Sequence, residues 1–108
     1  MIKRVSLVWK HPHLTDAEFR EVWLGAHVDV ARRIPYVREY TMDFVPNAPE
    51  GAPSGIATLR FDSREALEAA FSDAQLNEDL RRTRDEFAAR VVVMIVDEHT
   101  VIPRQAQS

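Results

Sequence analysis

Arg90-Val91-Val92-Val93-Met94-Ile95-Val96-Asp97-Glu98-His99 is the stretch on which the fold turns. Its apolar run, Val91 to Val96, is far shorter than the ~20 residues of a membrane-spanning helix, and β-branched side chains dominate it. A strand is therefore expected, with Val91, Val93 and Ile95 on one face and Val92, Met94 and Val96 on the other. A strand apolar on both faces must be covered on both. Helices can supply one cover, and the other has to come from elsewhere.

Upstream of this strand, Leu76, Leu80, Thr83 and Phe87 recur at helical spacing after a break at Ser72-Asp73, which implies two helices or one bent helix. Asp62 or Ser63 caps the earlier part, whose inward positions are Ala66, Leu67, Ala70 and Phe71. Ile56 to Phe61 and Tyr36 to Val45 read as strands, the latter with Tyr36, Arg38, Tyr40, Met42 and Phe44 on one face. Between them lies Pro46 to Gly55, with three prolines and two glycines. It is a surface connection with Glu50 as its sole titratable side chain and no aromatic residue to cover a ligand.

Lys3 to His11 forms the first strand, with Val5, Leu7 and Trp9 on one side and Arg4, Ser6, Val8 and Lys10 on the other. Thr15-Asp16-Ala17-Glu18 is a capping box, and the helix it opens carries Phe19, Val22, Trp23, Ala26 and Val30 as one stripe until Pro35. The order β-α-β-β-α-β defines an α+β, ferredoxin-like domain over residues 1–102 with a four-stranded antiparallel sheet, followed by a polar tail at 103–108. On this reading Val8, Met42, Phe44 and one side of the last strand are left exposed on the uncovered face. A homodimer through the sheet face buries such a patch twice with one set of residues.

Composition narrows the function. The 108 residues suit a single core, and 14 Lys and Arg against 17 Asp and Glu give a net charge of −3. Nucleic acid is a poor partner for that balance, since the dense group Arg81, Arg82 and Arg84 is offset by Glu78, Asp79, Asp85 and Glu86. No apolar segment suits a membrane. Without cysteine there is no disulfide, thiolate nucleophile or iron-sulfur site, which places the protein most simply in the cytoplasm.

His27 is the foremost candidate for chemistry, because it lies one helical turn after Trp23 at the flank of the buried stripe. Arg20, Trp23 and His27 cluster there. An imidazole in that place can move a proton and a guanidinium can hold an anionic oxygen. The same histidine can equally be a helix-edge residue packed on Trp23. His11 and His13 bracket Pro12 without a metal-ligand spacing, so no metal is expected. Gly25, Gly51 and Gly55 are too scattered to cradle phosphate, and no nucleotide or other cofactor is expected.

The segments Leu14-Thr15-Asp16-Ala17-Glu18-Phe19-Arg20, Trp23, Gly25-Ala26-His27, Ile34-Pro35-Tyr36-Val37-Arg38-Glu39-Tyr40, Phe61-Asp62-Ser63-Arg64-Glu65-Ala66-Leu67 and Asp97-Glu98-His99-Thr100-Val101-Ile102 occur in this order. Together they resemble the EthD family of the dimeric α/β-barrel superfamily. The resemblance implies a homodimer of ferredoxin-like units paired sheet to sheet as a dimeric α/β barrel, with an apolar cavity in each subunit for a small hydrophobic metabolite. It implies His27 as the helix histidine, Trp23 as its aromatic neighbour and His99 as the C-terminal signature histidine. Val28-Asp29-Val30 departs from the Gly or Ala-Pro-Leu that often follows that histidine.

Relatives implied by the resemblance include a protein associated with ether degradation, muconolactone methylisomerases, polyketide dehydratases or cyclases, and cofactor-free monooxygenases. Isomerase chemistry that depends on cysteine is excluded here. Three functions stay open. One is a cofactor-independent acid-base enzyme on a cyclic, aromatic or polyketide-like metabolite, with His27 catalytic and Arg20, Trp23, Tyr36, Arg38, Tyr40, Asp62 and His99 as helpers. The others are a binding or sensing protein for a small hydrophobic ligand and a cofactor-free monooxygenase, and against all three stands a purely structural dimer without a ligand.

Overall fold

The computed structural model describes residues 1–106; Gln107 and Ser108, the end of the expected polar tail, lie outside the described residues. Four strands, β1 (Ile2–Lys10), β2 (Glu39–Phe44), β3 (Gly55–Phe61) and β4 (Ala88–Asp97), form an antiparallel sheet in the order β2-β3-β1-β4. Helices α1 (Asp16–Val22), α2 (Val28–Ala31), α3 (Arg64–Ala70) and α4 (Ala74–Arg84) complete the βαββαβ order of a ferredoxin-like fold. The sheet is open. Its edges are β2 and β4, and they do not pair, so the barrel expected from the resemblance is corrected: this chain forms an open four-stranded layer and no closed barrel. Closure requires every strand to have two hydrogen-bonded neighbours, and β2 and β4 each have one.

The local signals explain the elements. Thr15 Oγ1 accepts from the Glu18 amide at 3.1 Å while Glu18 Oε1 accepts from the Thr15 amide at 2.9 Å, which is the capping box in full. Ser63, and not Asp62, caps α3 by accepting from the Ala66 amide. Asp73 caps α4 through the Gln75 and Leu76 amides, so the break at Ser72-Asp73 separates two helices. The first helical stripe is also interrupted. A wide π-helical turn runs from Trp23 to His27, its backbone leaves helical angles at Gly25, and Ala26 is turned to solvent. The second strand begins later than expected because Tyr36, directly after Pro35, takes a left-handed φ of 66° and stands 63% exposed.

Register decides the faces. Arg4, Ser6 and Val8 point toward the helices, and so do their β4 partners Ile95, Val93 and Val91. Tyr40, Met42 and Phe44 pack against the core clusters on that same side. The expected exposure of Val8, Met42 and Phe44 is therefore corrected; Val8 is buried beneath the helices. Val5, Leu7 and Trp9 of β1 occupy the uncovered face with Val92 and Met94 of β4 and Ile56 of β3. As the edge strand, β4 has Val93 and Ile95 exposed at 41% and 37% on one side and Met94 at 40% on the other.

Core side chains gather in two clusters. One holds Ile34, Leu59, Phe61, Leu67 and Leu76, and the other holds Val8, Phe19, Trp23, Ala57 and Phe87. Gly55 permits the second: a Cβ there would stand 2.6 Å from Trp23 Cζ3, so only glycine lets β3 approach the indole. Among the described residues no helix is long and apolar enough to cross a membrane.

Candidate functional site

Between the two clusters, under the helices, lies a cavity of about 540 Å³. Its floor includes Arg4, Ser6 and Val8 of β1 and Tyr40 of β2, and its roof includes Trp23, His27 and Phe87. A concave, mostly apolar space with a few converging polar groups is the usual setting of a small-molecule site.

His27 is held from one side. Its Nδ1 lies 2.8 Å from Thr83 Oγ1, and that hydroxyl lies 2.8 Å from the Asp79 carbonyl one turn earlier in α4. The single hydroxyl proton serves the carbonyl, so Thr83 accepts from His27 Nδ1–H and the lone pair is left on Nε2. Phe87 meets the imidazole edge to face at 5.2 Å. Burial, reinforced by the positive charges of Arg84 and Arg4, pushes the His27 pKa down to about 4 against the opposing pull of the Leu80 carbonyl. The ring is neutral near pH 7, with Nε2 as an acceptor and base.

Trp23 contributes a second unusual group. Its indole is 1% exposed and stacks on Phe87 at 4.9 Å, yet its Nε1–H makes no hydrogen bond of normal geometry among the described residues and has only a weak interaction with the Tyr40 hydroxyl. Such a buried donor is costly to leave unpaired. The neighbouring Tyr40 phenol is pushed above its ordinary pKa by burial, against weaker opposing effects from Trp23 and Arg4, so it keeps its proton.

The charges in the cavity are mostly positive. Arg81 is paired with Glu78 and Asp85, and Glu68 at the rim with Arg64. Arg4 and Arg84 make no ion pair or side-chain hydrogen bond among the described residues; the Arg4 guanidinium lies over the Phe71 ring at 4.6 Å. Burial and then the charge of Arg84 push the Arg4 pKa down from its ordinary value. Among the described residues, no group of three His, Cys, Asp or Glu side chains is placed to hold a metal ion.

Of the residues singled out from sequence, the structure brings His27, Trp23 and Tyr40 together around the cavity. The others lie outside its walls. Arg20 covers Phe44 at 4.8 Å, Arg38 is paired with Asp62 at 2.6 Å on the exposed surface, Tyr36 faces solvent, and His99 is exposed beyond the end of β4. Sequence reasoning missed Arg4, Arg84 and Thr83. Arg84 was hidden among neighbouring charges that pair with Arg81 and Arg82 but not with it. A signal for Arg4 existed: the polar positions of β1, Arg4 and Ser6, share a face with apolar Val8.

Comparison with known proteins agrees with this architecture. An EthD domain matches residues 11–90. A crystallised EthD-family protein from Bacillus halodurans superposes with a TM-score of 0.72 at 20% identity, over 92% of this chain and all of that one. SnoaB from Streptomyces nogalater, a cofactor-independent oxygenase, superposes with a TM-score of 0.64 at 14% identity, over 95% and 97% of the two chains. A dimeric ferredoxin-like protein from Thermobifida fusca gives 0.66 at 15% identity, over 88% of each chain. No protein of curated function matches the sequence. At these identities the solved structures speak for the fold, and the domain match covering most of the sequence carries the conclusion that this chain belongs to the EthD family.

Proposed function

We propose that the cavity binds a small ring-bearing metabolite and that neutral His27 withdraws a proton from it. This would open a cofactor-independent oxygenation, the activity for which SnoaB is named. The observation that carries the reading is the orientation of His27: Nδ1–H is anchored on Thr83, and Nε2 is left free in a cavity-lining ring kept neutral by burial. Proton removal leaves negative charge on the substrate, which the positive field of Arg4 and Arg84 on the cavity wall favours. Molecular oxygen is then the oxidant: the anion gives its electron pair to O2 in forming a C–O bond, the resulting peroxide takes back the proton from His27, and loss of the remaining hydrogen on that carbon with cleavage of the O–O bond leaves a ring carbonyl and releases the second oxygen as water. A second reading has support in Tyr40, whose retained proton suits an acid partner for an isomerase, dehydratase or cyclase.

Oxygen uptake with a panel of dihydroxynaphthalenes, measured above the protein-free rate, tests the first reading. Uptake that requires both protein and ring compound is the expected result. Exchange of a ring-compound proton with D2O without uptake would transfer the assignment to the acid-base reading. Saturable binding with neither would leave a carrier or sensor and overturn catalysis.

The uncovered sheet face supports a homodimer. Val5, Leu7, Trp9, Val92 and Met94 form a contiguous apolar area across β1 and β4, and a second copy would cover it twice. The Thermobifida protein is described as dimeric. Sedimentation equilibrium at micromolar protein is expected to report about 25 kDa, twice the 12.4 kDa chain mass, and a clean monomer would remove this part of the proposal.

A further inference from the structure

We propose that the ligand of the cavity is an aromatic carboxylate, with its carboxylate between Arg4 and Arg84 and its ring against Trp23 and Leu59. The assignment rests on the reading of the cavity as a ligand site and narrows the class of ligand. Two features on its walls point the same way. Arg4 and Arg84 are permanently charged, they repel one another, and no described carboxylate comes within ion-pair distance of either. Arg81 and Glu68, the other charged groups on the walls, already have partners on their own helices.

Trp23 Nε1–H is sealed from the cavity space beside the Tyr40 hydroxyl, so it takes no part in recognising the anion, and the indole serves as apolar wall. Positive charge therefore stays uncompensated on this wall, while His27 Nε2 and the uncharged polar groups of Ser6, Tyr40 and Asn77 complete the polar lining. An uncharged hydrocarbon would leave both guanidiniums without a counter-charge. A carboxylate offers two oxygens, each able to take more than one hydrogen bond, and guanidinium matches that geometry. The apolar wall of Trp23, Leu59, Leu67 and Phe87 sets the remaining character of the ligand, a flat ring or a short apolar body.

Unpaired cations also fit the local construction of β1. Arg4 projects to the helix-covered side of the sheet, where an uncharged side chain would pack without electrostatic penalty. Its position over the Phe71 ring holds the guanidinium without neutralising it, leaving its donors for a ligand. Placing two such groups together costs stability in the empty protein and is returned when an anion enters, a pattern expected of a binding site and not of a core.

Calorimetric titration with 2-naphthoate and with its neutral isostere 2-naphthamide tests the assignment. The carboxylate is expected to bind at least ~10-fold more tightly to the unaltered protein. Arg4→Gln and Arg84→Gln together should reduce that preference to under ~2-fold, since glutamine keeps a donor and removes the charge. Equal affinity for acid and amide in the unaltered protein would overturn the anion assignment while leaving the cavity as a ligand site. A preference that survives in the folded double variant would overturn the role of the two arginines. Binding of neither compound would overturn the assignment together with the cavity reading beneath it.

Discussion

Replacing His27 by glutamine is expected to lower turnover of a substrate by about 100-fold or more while dimer and fold persist, because that is the scale of a lost acid-base group. Glutamine can still donate to Thr83 Oγ1, so the anchor survives and the basic lone pair does not. In the unaltered protein the acid limb of kcat/KM, which reports the free enzyme, should fall near pH 4 and not in the ordinary histidine range. Stability gives an independent readout. Between pH 6.5 and about 4 the unfolded chain takes up a proton that folded His27 refuses, so the stability of the unaltered protein declines as pH falls through that window. The ring is partly open to the cavity, which discounts the effect to on the order of 2 kcal/mol. His27→Gln should remove that decline, as measured by urea unfolding across the window. Unchanged kcat/KM with a lower melting temperature would instead mark His27 as a packing residue.

Trp23→Ala should cost about 3–5 kcal/mol, the range for a large aromatic removed from a core. The indole is 1% exposed, stacks on Phe87, and meets Phe19 and Phe44 edge to face at 5.4 Å and 5.6 Å. Against a typical total of about 5–15 kcal/mol for a domain, this loss takes a large share. Trp23→Phe should cost much less, since it keeps a ring in the cluster and deletes an Nε1–H that makes no hydrogen bond of normal geometry. Urea midpoints for both variants at neutral pH check the pair. A loss below about 1 kcal/mol for Trp23→Ala would mean that the aromatic cluster repacks freely and that the indole does not support the cavity roof.

Much of the architecture was legible because it rests on local signals. The capping box at Thr15-Glu18, the break at Ser72-Asp73, the alternation of Val91 to Val96 and the breaker-rich Pro46 to Gly55 each act within a few residues of themselves. His27 and Trp23 were legible as a pair because one helical turn separates them, and the wide turn at Trp23–His27 still leaves both on the cavity wall. The face of β1 was read the wrong way round. Binary patterning favours the more apolar side for the core, but Val5, Leu7 and Trp9 lie on the uncovered face, while Arg4 and Ser6 line the cavity. That inversion is the mark of a strand serving two surfaces, an apolar exterior and a polar-lined interior.

The sequence by itself determined the order of strands and helices, the α+β class, the start of α1 and the pairing of a histidine with a tryptophan, since periodicity and capping are properties of neighbours in the chain. Tertiary structure alone decided that the sheet stays open, that Thr83 fixes the His27 tautomer across 56 residues, and that Arg84 comes beside Arg4 without a carboxylate. It also separated Arg38 and Asp62, which pair with each other on the surface, from the cavity that Tyr40 enters. The physical reason is that strand register and helix packing set which distant side chains share one cavity. Burial there shifts a proton equilibrium or leaves a charge unpaired, and neither effect is a property of local sequence.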